Sequence, residues 1–191
     1  LPEFATFDDL RRFNSELTVN KSTILERAAA SKTASHKSKD TFLSHSSKDA
    51  EFLPGVINLL ESHGASVYCD LDDRRMPRKP NPETAKIIKD QIKQSERLVL
   101  FVTTNSKDSK WVPWELGIGD TALGQNDVAL FPAAPTSHEQ TWAKQEYLGI
   151  YRHIVWGELD GYRDPLWIVY DYHTNTADRL SDWCKTRRRR Y

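Results

Sequence analysis

Along most of the chain, short unbroken runs of apolar residues alternate with stretches in which apolar residues recur at helical spacing. Thr41-Phe42-Leu43 is the first run, and it ends in the polar segment Ser44-His45-Ser46-Ser47-Lys48-Asp49. Phe52, Leu53, Val56, Ile57, Leu59 and Leu60 then supply one face of a helix, with Asp49 as its expected cap and Gly64 at its close. Ala65 to Cys69 reads as a second strand, ended by Asp70. From Asp70 to Pro82 the chain is charged and carries Pro77, Pro80 and Pro82, which predicts a long exposed loop. Pro82 opens a helix with Ala85, Ile88 and Ile92 on one face. Leu98 to Val102 is apolar throughout, the pattern of a central parallel strand covered on both faces. It ends in Thr103-Thr104-Asn105-Ser106, and a helix follows to about Leu123. Val128 to Phe131 is a fourth strand, and Leu166 to Tyr170 a fifth by its β-branched and aromatic content. Ala177, Leu180, Trp183 and Cys184 make a last helical face. Between the fourth and fifth strands the pattern is irregular, with Trp142 to Tyr151 read as helical and His153 to Trp156 as extended.

Strand–helix alternation of this kind predicts an α/β domain, doubly wound and flavodoxin-like, with helices on both faces of a five-stranded parallel sheet. Residues 1–39 stand apart as an N-terminal helical extension and linker. Phe7, Leu10, Leu17, Ile24 and Leu25 have loose helical spacing there, with Asp8 or Asn20 as caps. This arm either packs on the domain or serves in oligomerisation. The domain proper runs over 40–186, and 187–191 is a basic tail that reads as a solvated chain end.

In open α/β sheets, functional residues collect at the carboxyl ends of the strands. Here those ends are the loops starting at Ser44, Asp70 and Thr103. The third leads into Ser109-Lys110-Trp111-Val112-Pro113-Trp114-Glu115-Leu116-Gly117. Pro113 lacks an amide hydrogen and belongs in a first helical turn, so the helix starts between Ser109 and Pro113. Glu115 is then in or near that turn, where the backbone dipoles favour an ionised carboxylate. An acid just after Trp111 and Trp114 suits a ring-bearing ligand on which positive charge develops. Read more plainly, the tryptophans are packing and the glutamate is a solvated helix residue.

Composition removes several classes of function. In 191 residues, Lys+Arg and Asp+Glu are equal at 27 each, which argues against a general nucleic-acid binder. No apolar run is long enough to span a membrane, and the N-terminus shows no apolar secretory core. Cys69 and Cys184 read as buried thiols in a reducing cytoplasm. The six histidines are scattered, so no metal site is expected.

Three blocks carry a family likeness. Asp40 to Asp49 resembles the opening strand and loop of a Toll/interleukin-1 receptor (TIR) domain, Arg97 to Asn105 its third strand, and Ser109-Lys110-Trp111 with Glu115-Leu116 its Ser-x-Trp-x-x-x-Glu-Leu helix. The likeness covers about Lys39 to Lys185 and is to bacterial members. It implies cleavage of NAD+ at the nicotinamide–ribose bond, with Glu115 catalytic and NAD+ a substrate rather than a cofactor. Ser44, His45, Ser46, Asp70, Asn105, Trp111 and Trp114 are then the substrate-binding candidates. His45 reads as a hydrogen-bonding residue more than a proton shuttle. The 70–82 loop stands where the family has its BB loop, implying self-association. Such chains resemble the sensing partners of antiphage defence systems, in which an ADP-ribose-derived signal activates a separate effector protein.

Two other readings compete. A non-catalytic adaptor would act through self-association alone. A receiver domain would need acids after the first strand and a phosphoacceptor after the third, where this chain has Ser44-His45-Ser46 and Thr103-Thr104-Asn105. A glycine-rich dinucleotide fingerprint is also missing, which argues against redox use of NAD+.

Overall fold

A computed structural model describes residues 2–15, 20–30, 38–71, 73–75, 77, 81–136 and 149–185. Its elements in chain order are β1 (Ala5–Thr6), α1 (Phe7–Ser15), α2 (Lys21–Ala29), β2 (Thr41–Ser44), α3 (Leu53–Ser62), β3 (Val67–Tyr68), α4 (Pro82–Gln94), β4 (Arg97–Val102), α5 (Trp111–Leu123), β5 (Val128–Ala134), β6 (Arg152–Gly157), β7 (Leu166–Asp171), β8 (Thr176–Arg179) and α6 (Leu180–Lys185). The strands join in the order β3-β2-β4-β5-β6-β7-β8, with β1 added beside β5.

Side chains alternate across a strand, and β4 shows the consequence. Val99 and Phe101 enter one core with α1, α2, α3 and α6. Leu98, Leu100 and Val102 enter the other with α4 and α5. All six residues of β4 are buried between these layers, as its unbroken apolar run predicts. The result is the expected three-layer, parallel-dominated α/β fold.

The strand count is corrected. The described residues form eight strands rather than five, and β7 runs antiparallel to both of its neighbours, β6 and β8. The eight-residue connection 158–165 between β6 and β7 suits a hairpin, whereas a parallel return needs a crossover of a dozen or more residues. His153 to Trp156 is extended as expected, within β6. The helix expected over 142–151 falls largely outside the described residues, as do 31–37 of the linker, 72, 76 and 78–80 of the 70–82 loop, and the 187–191 tail.

In the extension, Asn20 caps α2 by accepting from Ser22 N at 3.0 Å. Asp8 does not cap α1. Thr6 does, through a reciprocal pair in which Asp9 N donates to Thr6 Oγ1 and Thr6 N to Asp9 Oδ2, each at 3.0 Å. Leu10, Ile24 and Ala28 are buried in the α3-side core, so the described part of the arm packs on the domain. Gly64 follows α3 at a positive φ of 103°, the left-handed stop that favours glycine.

Candidate active site

β2 is buried along its whole length. Alternation sends Leu43 towards α3 and Phe42 towards α4 and α5. Ser44, two residues on from Phe42, shares that second side, and its Oγ donates a hydrogen bond to Glu115 Oε2. Glu115 comes from α5. Pro113 takes a position in the first turn of that helix, where no amide donor is needed. Ser109 Oγ accepts from Val112 N at 3.3 Å and steadies the start. One turn beyond Glu115, Gly119 lets α5 close on the sheet: a Cβ there would stand 2.2 Å from Leu98 Cδ2. That approach presses Glu115 into the interior, 3% exposed.

Burial is the main cause that lifts the Glu115 pKa from the usual 4.5 to about 8. The negative charge of Asp70 adds to it, and the hydrogen bond from Ser44 opposes it. The expectation of an ionised carboxylate is therefore reversed for the protein without substrate. Glu115 is the fifth residue of α5, past the first turn in which the dipole is strongest, and desolvation outweighs what remains.

Above Glu115 lies a cavity of about 510 Å³. The β2 loop contributes His45, Ser46 and Lys48, the β3 loop Asp70 and Leu71, and the segment entering α5 contributes Asp108, Lys110 and Trp111. Thr84 and Ile88 of α4 form a wall. The structure thus brings Glu115, His45, Ser46, Asp70 and Trp111 to one crevice, with Ser44 beneath it. Besides Ser44, two of the residues named from the sequence are not part of this lining. Trp114 packs edge-on against Trp111 with ring centroids 5.2 Å apart, under the Lys89 ammonium at 5.6 Å. Asn105 turns to Asp49, its Nδ2 donating to Oδ1 at 2.6 Å.

Asp49 is also not the cap of α3, whose start has no side-chain cap. It is fully buried and accepts a second bond from Thr103 Oγ1 at 2.8 Å. It ties the β2 loop to the β4 loop, and only the fold, by pairing β2 with β4, brings those partners together. Lys48 and Asp108 went unnoticed in the sequence as well. They pair at 2.8 Å across the mouth of the cavity, from two loops that the carboxyl-end rule already marks. Among the described residues of the 70–82 loop, Asp73 departs from the expected exposure. Asp73 is buried and accepts from Tyr68 Oη at 2.6 Å and from Arg75 Nε at 3.0 Å. Burial works to raise the Asp73 pKa, but the bonds from Arg75 and Tyr68 prevail and hold it below the ordinary range.

Fold and site define a doubly wound α/β domain whose pocket, at the carboxyl ends of its parallel strands, is built over one buried acid. The chain belongs to the TIR domain family, which residues 41–165 match. A Bacillus cereus (strain MSX-D12) protein, ThsB', whose name describes a probable 3' cyclic ADP-D-ribose synthase, is 35% identical over 136 residues, spanning 70% of this chain and 69% of its own. TIR2 of Cytobacillus dafuensis, named a putative cyclic ADP-D-ribose synthase, is 32% identical over 106 residues, 54% of this chain and 28% of its own.

Proposed function

We propose that the protein is an NAD+-consuming enzyme of ADP-ribosyl cyclase type that breaks the nicotinamide–ribose bond and yields a cyclic ADP-ribose product. The observation that carries this is a carboxyl buried on the floor of a nucleotide-sized cavity, its pKa raised to about 8. The names of the two relatives support the choice of substrate and product.

Heterolysis leaves the bonding pair on the nicotinamide nitrogen, which departs neutral, while positive charge spreads over ribose C1′ and its ring oxygen. No strong general acid is needed. A carboxylate in a dry site stabilises that charge far better than one in water. The arriving cationic ring draws Glu115 into its ionised form, so its charge is present when the bond weakens. Ser44 fixes the carboxylate by its hydrogen bond. Trp111 walls the ring, and Lys48 and Lys110, both lining the cavity, supply charge for the diphosphate. An internal nucleophile of the same ADP-ribose then attacks C1′, and its proton passes to Glu115 or water.

In this reading the product is a signal that activates a separate effector in antiphage defence, the enzyme works in the cytoplasm, and the 70–82 loop serves self-association. Among the described residues no helix is long and apolar enough to cross a membrane. The test is chromatography and mass spectrometry of the purified protein with NAD+ at several protein concentrations, beside Glu115→Gln. Nicotinamide release that depends on Glu115, with a companion product one water lighter than ADP-ribose, is expected. Release undiminished in the variant overturns the role of Glu115. No release at any concentration, with or without extract from infected cells, favours an adaptor.

A further inference from the structure

Three metal-ligating side chains meet beside the cleft from two neighbouring parallel strands. β2 pairs with β3, and the residues just past their ends are His45, Cys69 and Asp70. Nδ1 of His45 lies 3.8 Å from Cys69 Sγ and 3.6 Å from Asp70 Oδ1. All three donor atoms fall within 4.8 Å of one another, and among the described residues they are the one such group. Ligands around a tetrahedral zinc ion stand roughly 3.3–3.6 Å apart, given bond lengths of about 2.0–2.3 Å. The His45 distances are already close to that span.

We propose that His45, Cys69 and Asp70 form a site for a divalent transition metal of the zinc class, its fourth position open to the cavity. A thiolate with an imidazole selects such ions over magnesium or calcium. Three protein ligands with one open position is the arrangement that leaves room for water or an exogenous ligand. His45 and Asp70 line the cavity, so an ion is able to enter from it. Cys69 binds as thiolate: the S–H bond breaks, a metal–sulfur bond forms, and the proton goes to solvent. No electron is transferred.

The consequence for turnover rests on the reading given under Proposed function. Without metal, Asp70 contributes a negative charge that acts on Glu115. With metal, thiolate and carboxylate cancel the dication. The wall facing the ribose loses its negative charge, and His45 and Asp70 are withdrawn from substrate. The ion is therefore inhibitory.

The test uses chelator-treated full chain and metal alone. Cobalt(II) added to wild type is expected to give a thiolate-to-cobalt absorption band that saturates at one equivalent, and zinc calorimetry in two buffers to report release of one proton. Cys184→Ser keeps both signals, since Cys184 is buried elsewhere with its thiol pushed up to about 12. Cys69→Ser loses the band. Asp70→Asn, at a partly exposed position, weakens zinc binding by more than about tenfold. No band in wild type, a band retained without Cys69, a band lost without Cys184, or unchanged affinity in Asp70→Asn overturns the site. If Cys69→Ser does not fold, the other three measurements still decide. Zinc is expected to slow nicotinamide release in wild type and Cys184→Ser and to leave Cys69→Ser at its basal rate. Binding without any NAD+ turnover would count against the enzymatic reading alone, and turnover indifferent to zinc at saturation against the inhibitory role.

Discussion

The two sides of the sheet follow different rules. From β3 through β2 and β4 to β5, the strands are parallel, and the loops that follow β3, β2 and β4 open together around Glu115. From β6 to β8 the chain folds back in hairpins, and the N-terminal arm fills the fork between β5 and β6. Glu3 exchanges backbone bonds of 2.7 and 2.9 Å with Trp156, while Ala5 and Thr6 pair with Ala133 and Ala134. Phe4 is 2% exposed and stacks parallel to His153. One side spends buried polar contacts on loop geometry. The other buries aromatic rings and ties the chain end down. The first should be sensitive in chemistry and the second in stability.

The largest separation is expected from Glu115→Gln, which should lower NAD+ turnover by about a thousandfold while circular dichroism stays native. Its stability should change in the opposite direction. Burial raises the folded pKa of Glu115 above its unfolded value, so that contribution is complete below about pH 4.5 and is lost as pH rises through about 8. The glutamine carries no such loss, so denaturant unfolding above pH 8 should favour it by about 2–4 kcal/mol. Phe4→Ala should do the reverse. It removes a buried ring at the far side and should lower unfolding free energy by about 3 kcal/mol, with turnover per folded molecule unchanged. Asp49→Ala should mix the two behaviours. It leaves Thr103 and Asn105 without their acceptor, for a loss of about 2 kcal/mol, and frees two of the three loops, lowering kcat/KM by about tenfold. A variant that lost stability alone would show that Asp49 does not hold the cleft.

The parallel side was readable because its signals are local. An unbroken apolar run means a two-faced strand, and the residues after it mark a cleft. Pro113 sets the start of α5 by its missing amide. On the other side 153–156 and 166–170 were readable as extended, but their antiparallel pairing was not, because pairing is decided at a distance; likewise nothing within Glu3 to Thr6 announces a strand until β5 and β6 diverge to receive it. The same limit applies inside the site. Asp49 looks like a helix cap from its position, and its partners lie 54 and 56 residues away. Glu115 was recognisable as the central acid, but its ionisation was misjudged, because the dipole argument is local and desolvation depends on how closely α5 meets β4 at Gly119.

The smallest effect tests the electrostatic coupling that belongs to the parallel side alone. After burial, the charge of Asp70 is the next cause that raises the Glu115 pKa, with the Ser44 bond acting against both. Lys48 and Lys110 line the same cavity. If the ionised carboxylate is the active form, kcat/KM, which reports the free enzyme, rises with pH through an inflection near 8. Asp70→Asn removes the like charge, so Glu115 gives up its proton more readily and the inflection moves to lower pH. Asp70 is 27% exposed, so solvent screens the interaction, and a shift of less than about one pH unit is expected, equivalent to under about 1.4 kcal/mol. The measurement is made with chelator present, so that no ion bridges Asp70. The plateau should fall as well, because the same charge favours the ribose cation; the position of the inflection, not its height, is therefore the readout. Phe4→Ala, on the far side, should leave it where it is. An inflection that stays put in Asp70→Asn would mean that burial alone sets the acid, and that the three loops meet around Glu115 without tuning it.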